Sequence, residues 1–501
     1  MHSSQLYTGY IKSWQLCQYQ SSSAYIAYFI SQGSTTRMVS TPARAVDTGR
    51  QYLPVFTTAN PSPNQYLLPL TADVNQQNHL EIGGCDVPAL VQRYGTPLYI
   101  LDEETLRVAC RQYRQGFEAN YPGESLVIYA SKAWNCLAVC AIVASEGLGI
   151  DVVSGGELFT AQQAGLKPET TYFHGNNKSV AELEFAIQFG CTIVVDNWFE
   201  LKTLTAMQQQ VRIMLRLTPG IECHTHEYIR TGHLDSKFGF DPDQLDEVFQ
   251  FVSQQPLLNC VGLHAHIGSQ IFELQAHQDL TAVMVQWLSK ATQYGLSIQE
   301  LDIGGGLGIR YTESDDPPSI EEWVKVICQG VVTACQEAEI ALPKLIAEPG
   351  RSLIGPACVT AYTIGSQKVV PDIRTYVTVD GGMSDNPRPI TYQSVYRAVV
   401  ANRMAAPLTQ TVTVAGKHCE SGDIVIQQAQ LPHVEAGDTL VVAATGAYNY
   451  SMASNYNRLS RPAAVLVKAG EADLIVQRET YQDLIRQDCL PERLLRQEPS
   501  A

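Results

Sequence analysis

The stretch Ser125-Leu126-Val127-Ile128-Tyr129-Ala130-Ser131-Lys132-Ala133-Trp134 is a short apolar strand that delivers one lysine, Lys132, at its end. Seven further apolar runs follow, near residues 148–153, 171–174, 191–196, 211–217, 259–266, 300–303 and 344–347, each closing on Gly, His, Asp, Asn, Glu or Arg. The chain between them carries helical spacing, as over 156–164 and 180–189. Strands and helices alternating in this way predict an α/β fold built on a (β/α)8 TIM-type barrel, with chemistry gathered at the C-terminal strand ends. A strand-end lysine taken alone is ordinarily a solvated surface group. Here it would sit at the first of eight such ends.

Outward from the barrel the texture changes twice. Residues 1–79 are rich in Ser, Gln, Tyr, Thr, Pro and Asn without a sustained period, which predicts a flexible arm. Met38 offers an alternative translation start within it. Residues 80–123 hold an alternating Leu80-Glu81-Ile82, helical spacing over 87–94, a strand-like 97–101 and an amphipathic helix over 103–119, and lead into a barrel expected over 124–370. Short strand-like runs at 376–379, 411–414, 424–427, 439–444 and 463–468, separated by turn residues, predict a mainly antiparallel β-sandwich or barrel over 371–501. A short helix near 481–487 ends it.

With 501 residues, 45% of them hydrophobic, the chain can bury a large core. A formal charge of −16 and no Lys/Arg run argue against a nucleic-acid partner. The 13 cysteines lie mostly in apolar segments with no Cys-x-x-Cys pair, which points to reduced thiols in a cytoplasmic protein. The longest early apolar run, 24–30, is too short to span a bilayer, so no membrane partner is expected.

The strand ends carry the chemistry. Strand two yields Asp151 and Ser154-Gly155-Gly156-Glu157, strand three His174-Gly175-Asn176-Asn177-Lys178, and strand six His264-Ala265-His266-Ile267-Gly268-Ser269. Strand seven yields Asp302-Ile303-Gly304-Gly305-Gly306, and strand eight Glu348-Pro349-Gly350-Arg351. Three glycines after an apolar strand let backbone N–H groups approach an anion, and barrels often place a phosphate after strands seven and eight. A lysine, a phosphate cradle and a carboxylate at one barrel mouth meet the needs of pyridoxal phosphate. Lys132 would form the Schiff base, Glu348 would keep the ring nitrogen protonated, and His266 would lie against the ring face. A metal site built on His264-Ala265-His266 with His224, His226 and His233 is the competing reading. It leaves the glycine triplet and Glu348 to Arg351 without a task, so no metal is expected.

Tyr129 to Ala133, His226-Glu227-Tyr228-Ile229, Ser236-Lys237-Phe238-Gly239, Gly262 to Gln270 and Asp302 to Gly308 resemble the motifs of the diaminopimelate decarboxylases. So do Glu348 to Arg351, Cys419-Glu420-Ser421-Gly422-Asp423 and Gly446-Ala447-Tyr448. The resemblance runs from about Leu80 to the last helix. It implies a pyridoxal 5'-phosphate barrel of the alanine-racemase type (fold type III) with a β domain, in a head-to-tail homodimer with shared active sites. It implies Lys132 as the Schiff-base lysine, Gly304, Gly305, Gly306, Ser269, Gly350 and Arg351 around the phosphate, Glu348 at the ring nitrogen and Tyr448 near cofactor and substrate. Cys419 would be the proton donor, reaching the barrel mouth of the other subunit.

The implied reaction is decarboxylation of meso-2,6-diaminopimelate to L-lysine and CO2 through an external aldimine, the last step of lysine biosynthesis. That substrate carries a second amino-acid head group, so a selective pocket must offer cations to a carboxylate and an anion to an ammonium. Arg351, Arg388 and Tyr392 match the first need and Glu420 the second. Ornithine, arginine or carboxynorspermidine decarboxylases, a non-catalytic homologue acting as a binding partner, and a racemase are the alternatives. The first give no reason for Arg388 with Glu420, the second none for keeping Lys132 and Cys419, and the last is disfavoured by the Cys-Glu pair. Two departures from the family stand out: the long leader before Leu80, and Tyr396-Arg397 where an aromatic-plus-His pair is usual. The second is expected to alter surface packing without touching an assigned residue.

Overall fold

The computed structural model describes residues 47–221 and 236–494. Eight parallel strands close into a barrel: β1 (Ser125–Ala130), β2 (Gly149–Val152), β3 (Thr171–Phe173), β4 (Thr192–Val195), β5 (Val211–Arg216), β6 (Leu258–His264), β7 (Glu300–Asp302) and β8 (Lys344–Ala347). β8 pairs back onto β1, with Leu345 opposite Ser125. The strands are mostly apolar because both their faces are buried, and the charged residues they carry, such as Asp151, Arg216 and Asp302, fall near their C-terminal ends. Ile193, Ile213 and Leu215 join the large core shared with the outer helices, whereas Val194 and Met214 meet Ile128, Tyr172 and Ile346 in a separate cluster. Several of those helices start at a sequence-encoded cap. Ser154 caps Gly155–Gln163, Asn197 caps Trp198–Ala206, and Ser179 with Glu182 and Ser319 with Glu322 form reciprocal capping boxes on Val180–Phe189 and Ile320–Glu337.

The second sheet draws on both ends of the chain. Leu98–Asp102, ahead of the barrel, pairs antiparallel with Cys358–Val370 and parallel with Ala463–Lys468. Most of its remaining pairings are antiparallel, among them Arg374–Val379 with Cys358–Val370 and Gln410–Ala415 with Ile424–Leu431. The boundary expected at 370 is corrected here. Cys358–Val370 belongs to this sheet, because its first half is buried by Leu98–Asp102 and Thr439–Val442 on either side. An apolar strand gives no local sign of which sheet it will join.

The arm expected over 1–79 is corrected for residues 48–79, which are packed. Leu67 and Leu68 enter a core with Leu80, Ile82 and Val465. Asn64, fully buried, donates through Nδ2 to the Gly308 carbonyl at 3.1 Å and the Pro318 carbonyl at 2.8 Å, and Ser62 Oγ accepts the Ile320 N–H at 2.9 Å. The segment is held by buried polar groups at single positions, so it shows no hydrophobic period. Residues 1–46, with the rest of the expected arm and the alternative start at Met38, lie outside the described residues. Replacing Asn64 by Ala takes this donor from the buried Gly308 carbonyl and the part-buried Pro318 carbonyl and is expected to cost about 1–3 kcal/mol. The check is a lowered thermal midpoint. Among the described residues no helix is long and apolar enough to cross a membrane.

Candidate active site

Lys132 follows β1 directly on one 3-10 turn, Ser131–Ala133. The Trp134 N–H donates to the Tyr129 hydroxyl at 3.1 Å, and the Ser131 hydroxyl donates to Glu157 Oε2 at 3.1 Å. The Ala130 N–H donates to the Pro349 carbonyl at 3.1 Å, which ties β1 to the loop after β8. Lys132 lines a cavity of about 490 Å³ and is reached by solvent there. The protein around the amine works to lower its pKa by desolvation, but Asp151, Tyr448 and Glu348 outweigh this and leave it above the ordinary lysine value.

Glu348 lies in the same lining between two imidazoles. His174 Nε2 is 2.8 Å from Oε1 and His264 Nε2 is 3.2 Å from Oε2, with the rings edge to face at 4.8 Å. Burial alone would raise the carboxyl's pKa; His174 and His264 override it and hold Glu348 well below the usual carboxylate range. Burial pushes His264 down to about 4. Burial also raises Asp302, and the neighbouring Glu348 raises it further. One buried anion is thus selected from a crowded set of acids, and it can keep a proton on a ring nitrogen set against it.

The glycine turn after β7 divides its labour. The Gly304 N–H donates to Asp302 Oδ1 at 2.9 Å and the Gly305 N–H to His266 Nδ1 at 3.1 Å. A Cβ on Gly305 would stand 2.2 Å from the Glu348 carbonyl oxygen. These two glycines therefore pack β7 against the strand-eight loop, and Gly305 meets His266. Of the three, Gly306 alone, at φ +122°, lines the small chamber shared by Lys132, His266, Ser269, Glu348, Gly350, Arg351 and Tyr448. An amine, a hydroxyl, a guanidinium and a backbone turn on one side, with a held carboxylate on the other, are the donor set that a phosphorylated pyridine aldehyde requires.

Arg351 and Arg388 complete the lining. Arg351 donates to Ser269 Oγ from Nε at 3.1 Å and Nη2 at 2.9 Å, and its Cζ lies 4.8 Å from the centre of the Tyr448 ring. Arg388 donates from Nε to the Tyr396 hydroxyl at 3.0 Å and faces the Tyr392 ring at 5.3 Å. Tyr396, expected to touch no assigned residue, is corrected: it is fully buried and holds Arg388 directly. Its neighbour Arg397 pairs with Glu313 at 2.7 Å.

Lys132, His266, Ser269, Glu348, Arg351, Arg388, Tyr392 and Tyr448 thus meet at one cavity. Cys419 and Glu420 do not line it; they stand on an exposed loop whose Cys419 N–H donates to Asn457 Oδ1 at 2.8 Å. Asp151, His174 and His264, which the sequence set at strand ends without a cofactor role, line it too, and so does Arg216, which the sequence reading left out. Arg216 closes β5, and the rule applied to that strand end would have found it. The ligand atoms of His174, His264, Asp302 and Glu348 lie within 4.8 Å of one another and could hold a cation, but Glu348 already engages both imidazoles. This is not the His264–His266 pair of the competing metal reading, since His266 Nδ1 is turned to Gly305. His224, His226 and His233, and with them the His226 to Ile229 motif, lie outside the described residues.

Residues 104–355 match the family model of the pyridoxal-dependent decarboxylases, pyridoxal binding domain. A diaminopimelate decarboxylase from Synechocystis is 67% identical over 471 residues, covering 91% of this chain and all of that protein. One from Bacillus subtilis is 46% identical over 430 residues, 83% of this chain and 97% of that protein. The solved structure of diaminopimelate decarboxylase from M. jannaschii in complex with L-lysine superposes with a TM-score of 0.80 at 31% identity, covering 87% of this chain and all of that one.

Proposed function

Because the chain belongs to the diaminopimelate decarboxylases of the pyridoxal-dependent decarboxylase family, we propose that it removes the carboxylate at the D-configured centre of meso-2,6-diaminopimelate. The products are L-lysine and CO2, the last step of lysine biosynthesis. The observation that carries this reading is a single cavity where the Lys132 amine, the imidazole-held Glu348 and two buried arginines meet.

Lys132 would hold the aldehyde carbon of pyridoxal 5'-phosphate, Glu348 its ring nitrogen, His266 its ring face, and Ser269, Gly306, Gly350 and Arg351 its phosphate, beside Tyr448. When bound, the cofactor supplies an electron-poor ring that accepts the electron pair left as CO2 departs. Glu348, kept anionic by His174 at Oε1 and His264 at Oε2, would keep the ring nitrogen protonated and the ring electron-poor. His266 would meet that ring as a neutral imidazole, because burial and the Lys132 charge hold its pKa well below the ordinary value.

Selectivity rests on the far end of the substrate. Arg388, with Arg351 and Tyr392, takes the distal carboxylate, and Glu420 the distal ammonium. A substrate lacking that head group leaves the buried Arg388 unpaired. Glu420 and Cys419 are exposed in their own chain, so a second copy brings them to the cavity in a homodimer with shared sites. There Cys419 Sγ returns a proton to the carbon that has lost CO2. The cysteines among the described residues are free thiols, as a cytoplasmic location requires.

Incubation of the purified protein with meso-diaminopimelate and pyridoxal phosphate is expected to yield lysine and CO2. Ornithine and arginine, run alongside, are expected at least about 10³-fold lower in kcat/KM. Comparable turnover of ornithine would move the chain to the related decarboxylases. The shared site has its own test. Mixing inactive Lys132→Ala chains with inactive Cys419→Ala chains under verified subunit exchange should restore about one quarter of wild-type activity, because half the chains pair as heterodimers that each rebuild one site. No recovery would place Cys419 outside the partner's site.

A further inference from the structure

Arg351 and Arg388 are both buried, and among the described residues every hydrogen bond of their guanidiniums runs to a hydroxyl: Ser269 and Tyr311 for Arg351, Tyr396 and Ser394 for Arg388. Tyr311 is the group between them. Its hydroxyl accepts from Arg351 Nη1 at 2.7 Å, Arg388 Cζ lies 5.8 Å from its ring centre, and its ring meets the Tyr396 ring edge to face at 5.3 Å. Tyr396 in turn accepts from Arg388 Nε. Tyr311 lines a separate cavity of about 370 Å³, which it shares with Arg388 and Tyr392, and is absent from the lining around Lys132. It therefore stands behind the arginines and acts through them.

The loop that carries Tyr311 is clamped from three sides. Asp315 Oδ2 accepts the Tyr311 N–H at 3.0 Å and the Thr312 N–H at 2.8 Å. Gln270 exchanges bonds with the Ile309 N–H and carbonyl at 3.1 and 2.7 Å, and the Asn64 carbonyl accepts the Arg310 N–H at 2.9 Å. A side chain on so fixed a backbone can set the position of what it touches.

We propose that Tyr311 is a specificity-determining positioning residue, whose hydroxyl and ring hold Arg351 and Arg388 together as one receptor for the distal carboxylate of the substrate. The proposal rests on the assignment of those arginines to that carboxylate. Burial works to raise the phenol's pKa, and Arg351 and Arg388 outweigh it, which is what a hydroxyl answering two positive charges should show. Without the hydroxyl, Arg351 keeps Ser269 but loses the partner that fixes its spacing from Arg388, and a carboxylate must then order the pair as it binds.

The test uses the cofactor-loaded enzyme and Tyr311→Phe, which keeps the ring and removes the oxygen. The dissociation constant of L-lysine by calorimetry and the KM for meso-diaminopimelate are both expected to rise about ten-fold. The change in kcat should stay within about three-fold. A structural defect would instead lower kcat and bound cofactor together, and that result would overturn the proposal. Arg388→Ala run in parallel separates the two levels of the argument. If it weakens lysine binding and Tyr311→Phe does not, Tyr311 is no positioning residue; if neither does, the carboxylate assignment itself fails. Should Tyr311→Phe not accumulate as folded protein, Asp315→Ala frees the loop while keeping the phenol, and unchanged lysine binding in that variant would equally overturn the proposal.

Discussion

Lys132→Ala protein is expected to fold, to lose covalent attachment of pyridoxal phosphate, and to fall by more than about 10⁴-fold in kcat. Folding survives because the turn is held by Tyr129, Ser131 and the Ala130 backbone, none of which uses the lysine side chain. Two other amines come into question. Lys178 is buried and donates to Glu200 Oε1 at 2.7 Å and to the Gly175 and Val194 carbonyls at 2.8 Å, so it cannot reach out without breaking all three. Lys237 lines the cavity, with its Nζ 4.9 Å from the centre of the Phe238 ring. Borohydride reduction of wild-type enzyme followed by peptide mapping decides the matter. The label belongs on Lys132, and a label on Lys237 would overturn the assignment.

Glu348→Gln should lower kcat on the order of 10²–10³-fold while the cofactor stays bound. The variant keeps the size of the side chain but removes the negative charge that His174 and His264 are arranged to maintain. In a buried site such a charge is worth far more than in water, and no solvent can replace it. Lys132 and the chamber around Gly306 and Arg351 are unaltered, so cofactor content after gel filtration should match the wild type. An unchanged kcat would mean that a neighbouring acid, Asp151 or Asp302, keeps the ring nitrogen protonated.

The barrel was legible because its physics is local. A strand buried on both faces is apolar at most positions, and the polar residue that ends it marks the mouth, as Ala130 gives way to Lys132 and Ala347 to Glu348. Lys132, Glu348 and Arg351 could therefore be placed at one end of one barrel from the chain alone. The packed segment over 48–79 was not legible, since Asn64 works through buried hydrogen bonds to carbonyls at 308 and 318, far along the chain, and leaves no period.

The sequence by itself determined the barrel strands and the polar residues that end them, because period depends on residues a few positions apart. Tertiary structure decided the rest. Closure of the barrel brings His174 of the third strand end and His264 of the sixth onto Glu348 of the eighth, and turns the Gly304 and Gly305 N–H groups to Asp302 and His266. Packing of the β domain against the mouth sets Tyr396 under Arg388 and leaves Cys419 and Glu420 outside their own cavity. Whether a polar side chain is solvated, paired or left to meet a substrate depends on neighbours that only the closed fold supplies.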